Sequence, residues 1–251
     1  MIDNIKLYCI CNSKYKEVAA NWALHLENKA IPNYQVICID KESFTFLKNN
    51  NLNAFFYEVA ETEISSQKFR QPQAGVVYNG FKLKILNFLL KQGRPFIFSD
   101  ADAVAVEDPR SFVSPYLQKG FCVVSKGLQK GNFYDKFGFA ICSGWMAFGK
   151  GRMTKWLTKE IDAFLSNQSS QTKISCDQQY FNELILTKKI KIKKSTKEYI
   201  HLHDGYLNII AASNSLISRG RKKNSSLVVH PWSSNVEETI NRLKLDNAWI
   251  F

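Results

Sequence analysis

The sequence predicts an α/β fold, with a mostly parallel central sheet flanked by helices, in a single domain over residues 1–251. Three observations predict it. Short apolar segments alternate with helical patterns through the first half of the chain. The apolar segments are nearly continuous and rich in β-branched and aromatic residues, as in strands buried on both faces. The 251 residues are 45% apolar and 13% aromatic, so the chain can bury one large core.

The first half of the chain contains four predicted strands and three predicted helices. The strands are residues 5–11, 34–40, 53–60 and 95–104. The helices are residues 14–29, 43–50 and 78–93. Between the third strand and the third helix, the polar residues 61–76 are predicted as a loop. The apolar stripe predicted for the third helix comprises Phe81, Ile85, Phe88 and Leu89.

The second half has a different pattern. Residues 120–127 and 137–151 are predicted strands, with no helical pattern between them. Helices are predicted at 153–166 and 176–189, on either side of a Ser/Gln-rich linker. Residues 190–200 alternate apolar and basic side chains, as in a strand at the solvent-exposed edge of a sheet.

The charge and the cysteine content limit the partners and the cellular compartment that can be expected for the protein. The formal net charge is +12 and the pI is about 9.4, which suits a nucleic acid, an anionic membrane surface or a phosphorylated small molecule as partner, or solubility alone. No apolar run approaches ~18 residues, and the N-terminus lacks the features of a secretory signal. The six cysteines form no CxxC pair and are predicted to be reduced, mostly buried thiols. We therefore expect a cytoplasmic location, with peripheral membrane association left open.

The most informative segment is 96–104, where an apolar strand ends on Asp100 and Asp102. Because side chains alternate along a strand, their spacing predicts both carboxylates on one face. In open α/β sheets, ligands bind beyond the carboxyl ends of the strands. Two carboxylates there suit Mg²⁺ or Mn²⁺, and such an ion suits a diphosphate. The alternative is an Asp pair that only begins a turn.

His230 is the candidate third metal ligand. It ends the short apolar run that begins at Val228, and imidazole accompanies carboxylates around Mn²⁺. His201 and His203 are rivals, because their spacing also allows a pair of ligands. The alternative for His230 is a partly buried structural histidine.

Further polar residues and one glycine complete the candidate site. Lys82 precedes the acidic strand, where a cation would neutralise the charge of a metal-bound diphosphate; the alternative is a solvated helix face. Asp177 and Gln178 open a helix, and they either stabilise its N-terminus or hold a sugar ring. Gly144 either permits close approach of a ligand to the backbone or marks a strand bulge.

Four segments together resemble nucleotide-diphospho-sugar transferases with the glycosyltransferase type-A fold. FKLKILNFLLKQGRPFIFSDADAVAVEDP resembles the family's lysine-bearing helix, apolar strand and DxD block. ICSGWMAFGKG resembles its glycine-containing acceptor-side strand, and CDQQYFNELI resembles its DQ…N helix. VVHPWSS resembles its late metal-binding histidine. The segments occur in the family's order, and the resemblance covers about residues 5–235.

The resemblance implies roles for individual residues. Asp102 would bind the metal directly, and Asp100 would also touch the ribose. Cys11 and Asn12 would lie near the nucleotide base. The implied set is Asp100, Asp102 and His230 for the metal, Cys11, Asn12, Lys82, Asp100 and Gly144 for the donor, and Asp177 and Gln178 for catalysis.

The activity that the resemblance implies is metal-dependent glycosyl transfer with Mn²⁺ or Mg²⁺. A hexosyl or pentosyl group would move from a nucleotide-diphosphate sugar to a glycan, glycolipid or protein acceptor, without a nucleic-acid partner. Residues 1–104 would form the nucleotide-binding half and 105–251 the acceptor-side half. The Asp177–Gln178 pair resembles retaining members of the family, which favours retention of anomeric configuration.

The sequence departs from the family's pattern after His230. Pro231 follows, without the glycine-and-lysine run that some relatives place there. A basic group for the leaving diphosphate would then come from Lys82, Arg70 or the segment 219–223. That segment is flanked by Gly and Ser, and its alternative is a solvated loop.

Two other classes of function remain open from the sequence. In aspartate-nucleophile phosphohydrolases, an apolar strand also ends in DxD, and Asp100 would be the nucleophile with Asp102 as acid/base. That motif usually ends the first strand, whereas here three strands come first. A basic nucleic-acid or membrane-surface module would use the lysines of 188–197 and the segment 219–223, but no nucleic-acid-binding signature accompanies them.

Overall fold

A computed structural model describes most of the chain. The described residues are 2–58, 74–127, 130–167, 176–205, 207–231, 233 and 235–251, with the side chains of 74–80 excepted. Arg70, nearly all of the predicted loop 61–76 and the Ser/Gln-rich linker beyond Asn167 lie outside the described residues. Among the helices that are described, none combines the length and apolar character needed to cross a membrane.

The predicted strands are present in order, with shorter bounds, and three further described strands, which were not predicted, lie beyond residue 206. The strands are β1 (Lys6–Cys11), β2 (Tyr34–Cys38), β3 (Ala54–Phe56), β4 (Phe96–Asp100), β5 (Val104–Ala105), β6 (Cys122–Gly127), β7 (Ala140–Phe148), β8 (Lys191–Ser195), β9 (Tyr199–Asp204), β10 (Leu207–Ala212), β11 (Ile217–Arg219) and β12 (Val228–His230). β1, β2, β4 and β7 consist mostly of buried residues, because both of their faces are covered.

The helices also include all five that the sequence predicts. They are α1 (Lys16–Asn28), α2 (Lys41–Asn49), α3 (Ala74–Lys91), α4 (Arg110–Leu117), α5 (Asn132–Phe137), α6 (Arg152–Ser166), α7 (Asp177–Leu186) and α8 (Val236–Leu245). Short polar side chains stabilise several N-termini. Asp40 accepts a hydrogen bond from Ser43 N at the start of α2, and Asn235 accepts one from Glu238 N at the start of α8.

The larger sheet has the strand order β3-β2-β1-β4-β7-β6-β10-β9-β8. The first four of these strands are parallel neighbours, as predicted for the first half of the chain. β7 is antiparallel to β4 and β6, β10 is parallel to β6, and β9 and β8 add antiparallel strands at the far edge. The sheet is therefore mixed, and the carboxyl ends of β1, β4 and β6 meet at the same edge.

Helices cover both faces of this sheet. Side chains of β1 and β4 alternate between two hydrophobic clusters, with Cys9 and Ile97 in one and Ile10 and Phe98 in the other. The first cluster includes residues of α1, α2, α4 and α8, and the second includes residues of α3, α5, α6 and α7. The predicted α/β architecture is confirmed.

A smaller sheet of three strands, in the order β11-β12-β5, packs against the first cluster. In it, β12 runs parallel to β11, with Arg219 opposite His230, and antiparallel to β5, with Val229 opposite Val104. Because β5 begins shortly after Asp102, this sheet returns His230 to the end of β4.

The structure corrects the predicted strand 95–104. β4 ends at Asp100, residues 101–102 form a turn, and β5 belongs to the smaller sheet. The structure also divides 190–200 into β8 and β9, which meet at a turn where Thr196 N bonds Tyr199 O. β8 is exposed along its whole length at the sheet edge, as predicted.

Three of the described helices, α4, α5 and α8, lie outside the predicted set. α5 has six residues between Gly131 and Gly138, too few for a periodic apolar stripe to show. α4 contains Pro115, a residue that argues against a helix interior. In α3, Phe88 is 40% exposed, so its predicted place in the buried stripe is wrong, whereas Phe81 and Ile85 are buried.

Candidate active site

The acidic turn, Asp100–Asp102, follows β4 at the edge where the parallel strands end. Its backbone closes through a hydrogen bond of 3.1 Å from Ala103 N to Asp100 O. Asp102 lies in the turn, so strand alternation does not explain why both carboxylates point the same way. The side chains of Asp100 and Asp102 are partly exposed, at 29% and 17%.

His230 approaches the acidic turn from β12. Its Nε2 lies 3.4 Å from Asp102 Oδ1 and 3.9 Å from Asp100 Oδ2. The three potential ligand atoms all lie within 4.8 Å of one another, and within the described parts of the chain no other group of three or more such residues is found. Two carboxylate oxygens and an imidazole nitrogen form a donor set that fits Mn²⁺ or Mg²⁺.

The electrostatic environment of His230 favours a positive charge at its Nε2. Burial alone would lower its pKa, but the Asp102 carboxylate, together with Cys142 at the other ring nitrogen, outweighs burial and raises the pKa to about 10. A metal-binding imidazole must be neutral, so a divalent cation would replace this proton.

A bulge in β7 forms a socket for the imidazole of His230. A Cβ added at Gly144 would lie 2.0 Å from His230 Cε1, so only glycine fits beneath the ring. Cys142 Sγ lies 3.9 Å from His230 Nδ1. The pairing of β7 with β6 jumps from Met146 to Cys142, which leaves Gly144 inside the bulge. The bulge anticipated for Gly144 is present, and the group that approaches its backbone is a side chain of this protein.

Lys82 forms the centre of a buried ion-pair cluster. Its Nζ lies 2.6 Å from Asp100 Oδ1 and 2.9 Å from Asp177 Oδ2, and its side chain is 3% exposed. Burial alone would lower the pKa of Lys82, but the two carboxylates outweigh it and raise the pKa above its usual value. The alternative of a solvated helix face is wrong. Lys82 is a fixed positive charge that joins α3, β4 and α7.

Asp177 and Gln178 begin α7 beside this cluster. Cys176 stabilises the helix N-terminus, because its Sγ accepts a hydrogen bond of 3.4 Å from Gln179 N. Asp177 is 5% exposed and faces Lys82, whereas Gln178 is partly buried. The structure therefore brings Asp177 together with Lys82 and Asp100 in one cluster.

Asn182 fixes α7 against β7. Its Oδ1 accepts a hydrogen bond of 2.8 Å from Ile141 N, and its Nδ2 donates one of 3.0 Å to Ile141 O. Both backbone groups of Ile141 are thus satisfied by one side chain, next to the bulge that holds His230. In the sequence Asn182 is the asparagine of the DQ…N pattern, and no role for it was predicted from that pattern.

The end of β1 lies beside the end of β4. The thiol of Cys11 is buried, 3.9 Å from Cys38 Sγ, so its side chain points into the core. Asn12 accepts a hydrogen bond of 3.3 Å from Tyr15 N. Burial and the two carboxylates of the acidic turn raise the pKa of Tyr15, which places this phenol within electrostatic range of the site. Tyr15 carried no signal in the sequence.

The rival histidines lie elsewhere. His201 and His203 are on β9, which is separated from β4 by β7, β6 and β10. His201 packs against Phe121, with ring centroids 5.3 Å apart. All six cysteines are free thiols and five of them are buried, as predicted.

Solved glycosyltransferases share this fold. A galactosyltransferase, LgtC, solved with donor and acceptor sugar analogues, is 12% identical over 98% of this chain and 97% of its own, with a TM-score of 0.61. Mouse xyloside xylosyltransferase 1 is 10% identical over 90% of this chain and 97% of its own, with a TM-score of 0.57. A glycosyltransferase involved in glycosylation of the major capsid of PBCV-1 is 10% identical over 96% and 99%, with a TM-score of 0.52. These likenesses confirm the predicted type-A fold.

The family is shown by the sequence. Residues 29–229 match the profile of nucleotide-diphospho-sugar transferases, a range that includes Lys82, the acidic turn and α7 and ends just before His230. The chain belongs to the nucleotide-diphospho-sugar transferase family and is a glycosyltransferase. The phosphohydrolase and basic-module alternatives are therefore set aside. No curated protein sequence matches the chain.

Proposed function

We propose that this glycosyltransferase is metal-dependent and uses Mn²⁺ or Mg²⁺ at Asp100, Asp102 and His230 to bind the diphosphate of a nucleotide-sugar donor. The observation that carries the proposal is the 3.4 Å approach of His230 Nε2 to Asp102 Oδ1, between elements far apart in the chain. When bound, the ion would act as a Lewis acid that stabilises negative charge on the diphosphate.

The residues of the chain prepare this site in distinct ways. Asp102 and His230 direct an oxygen and a nitrogen to one point. The two carboxylate oxygens of Asp100 have different partners. Oδ1 pairs with Lys82, and Oδ2 is directed toward His230. Gly144 contributes to donor binding indirectly, because its lack of a side chain leaves space for the His230 ring. Because contacts within the protein hold Asp100 and His230 in place, little reorganisation would be needed on binding.

Asp177 and Gln178 are assigned to the donor sugar. Lys82 holds the Asp177 carboxylate in place, so that its negative charge can stabilise an oxocarbenium-like transition state. Gln178, on the next position of α7, contacts the sugar ring. We infer retention of configuration from the likeness of this pair to retaining members of the family. Asn12, and Cys11 through its backbone, would lie near the base.

The acceptor is assigned to the second half of the chain, residues 105–251, with the nucleotide in the first half, 1–104. We propose a carbohydrate or glycolipid acceptor. The net charge of +12 suits association with an anionic membrane surface, where a glycolipid would be presented.

The test is a donor panel. UDP, GDP, ADP and CDP and their common sugars are added to the protein with Mn²⁺, Mg²⁺ or EDTA, and thermal unfolding is followed. We expect one base to stabilise the protein only with metal, by about 2.7 kcal/mol at a hundredfold excess over Kd. Asp102→Asn should abolish the effect, whereas Asp135→Asn, on the exposed face of α5, should retain it. Equal stabilisation by a nucleotide in Mn²⁺ and in EDTA, or no stabilisation by any nucleotide, would contradict the proposal.

A further inference from the structure

With a divalent ion at the proposed metal ligands, the charge of the candidate site would be balanced before a donor binds. Asp100, Asp102 and Asp177 carry three negative charges, which equal the positive charges of Lys82 and a divalent ion together. Lys82 is also enclosed, at 3% exposure, between two of these carboxylates. Under the proposed function, the diphosphate would therefore bring negative charge to a site with no surplus of positive charge. A further cation is needed.

Arg219 stands on the strand next to His230. It ends β11 and is paired with His230 at the end of β12. Partners in a parallel ladder project their side chains to the same face, so the guanidinium and the imidazole share one side of the small sheet. The backbone after Arg219 is held in the same place, because Gly220 N donates a hydrogen bond of 3.2 Å to His230 O.

The guanidinium of Arg219 rests on a glycine of the large sheet. A Cβ added at Gly127 would lie 3.1 Å from Arg219 Nη1. Gly127 ends β6, at the edge where β4 also ends, so the guanidinium reaches the ligand-binding edge of the sheet.

The positive charge of Arg219 has no counter-charge in the described part of the chain. The side chain is partly buried, its Nε is buried without a hydrogen-bond partner, and no ion pair joins it to an acidic residue there. A partly desolvated guanidinium without an anion is costly, and its planar donors match phosphate oxygens well.

We infer that Arg219 binds the diphosphate of the donor, beside the metal ligands, and supplies the cation that the chain lacks after His230. The inference rests on the proposed function and deepens it. Arg219 would donate charge-assisted hydrogen bonds to phosphate oxygens, and Lys82 would act as a fixed charge within the protein.

The experiment compares the binding of diphosphates and monophosphates by calorimetry. UDP, GDP, ADP and CDP, and the matching monophosphates, are titrated into wild type, Arg219→Gln, Arg219→Lys and Arg94→Gln in saturating Mn²⁺. Arg94 is exposed just before β4 begins, at the end of that strand opposite the acidic turn, so it is the matched control for net charge. Mn²⁺ affinity without nucleotide, measured by electron paramagnetic resonance, checks that the metal ligands are intact.

We expect Arg219→Gln to lower the affinity for the nucleoside diphosphate that wild type prefers by at least about tenfold. The affinity for the matching monophosphate should fall much less. Diphosphate affinity of Arg219→Lys should lie between those of wild type and Arg219→Gln, and Arg94→Gln should match wild type. Mn²⁺ affinity alone should not fall in Arg219→Gln. Equal diphosphate affinity in wild type and Arg219→Gln would overturn the inference and leave the proposed function standing. Failure of wild type to bind any nucleotide would overturn both.

Discussion

Replacing Gly144 by alanine tests the socket beneath His230. The added Cβ would lie 2.0 Å from His230 Cε1. Carbon atoms that are not bonded approach to about 3.5 Å, so the ring would have to move by about 1.5 Å. Metal–ligand distances tolerate about 0.2 Å, so a displacement of this size removes His230 from the site. We expect Mn²⁺ affinity to fall by at least about 10–100-fold.

The assay is an electron paramagnetic resonance titration of free Mn²⁺ with wild type, Gly144→Ala and Gly205→Ala. Gly205 is the matched control, because a Cβ added there meets nothing within 4 Å. The clash should also lower the free energy of unfolding by about 1–3 kcal/mol. In a His230→Ala background this loss should disappear, because the ring that the methyl group meets is gone. Wild-type Mn²⁺ affinity in Gly144→Ala would refute the reasoning.

Other consequences of the geometry can be measured independently. Lys82→Met leaves two carboxylates without their buried counter-charge and should cost about 3–5 kcal/mol in urea unfolding, so a loss below about 1 kcal/mol would contradict the ion-pair account. His230 has a pKa of about 10, raised from 6.5, so Mn²⁺ binding at pH 7.5 should release about one proton, measured by calorimetry in two buffers. Because the pKa of His230 is higher in the folded than in the unfolded protein, its protonation stabilises the fold, and the metal-free protein should lose stability as pH rises from about 6.5 to about 10. The His230→Ala variant should show neither the proton release nor this loss of stability. Asn182→Ala leaves two buried backbone groups of β7 unpaired, so it should cost about 1–3 kcal/mol, and unchanged stability would show that α7 is held by other contacts.

The strands of the first half could be predicted because burial on both faces leaves a simple pattern. β1, β2 and β4 are nearly continuous apolar runs, and a polar residue ends each run or follows it within two residues, at Asn12, Asp40 and Asp100. α5 gives no such signal, since six residues make fewer than two helical turns. α4 contains Pro115, which local rules place outside a helix.

Part of the candidate site could also be predicted, because some of its residues stand at the ends of apolar runs. Asp100 and Asp102 stand at the end of an apolar run, and His230 ends another, so each could be found locally. Lys82 could have been recognised as buried, since it lies three and four residues before Ile85 and Leu86, which are both buried.

The contacts between distant strands could not be read from the sequence. Three such contacts depend on strand order and register: His230 packs over Gly144, Arg219 pairs with His230, and Asn182 hydrogen-bonds to β7. Those in turn depend on the smaller sheet, whose strands β5, β11 and β12 have two or three residues each. Segments so short carry no periodic signal.

The most direct test of the metal-dependent account is anomalous diffraction at the manganese edge, from crystals grown with Mn²⁺ and the preferred nucleoside diphosphate. The account predicts one strong peak within about 2.0–2.3 Å of Asp102 Oδ and His230 Nε2, with diphosphate oxygens on its open side. A manganese peak away from these residues, or nucleotide bound there without manganese, would contradict it.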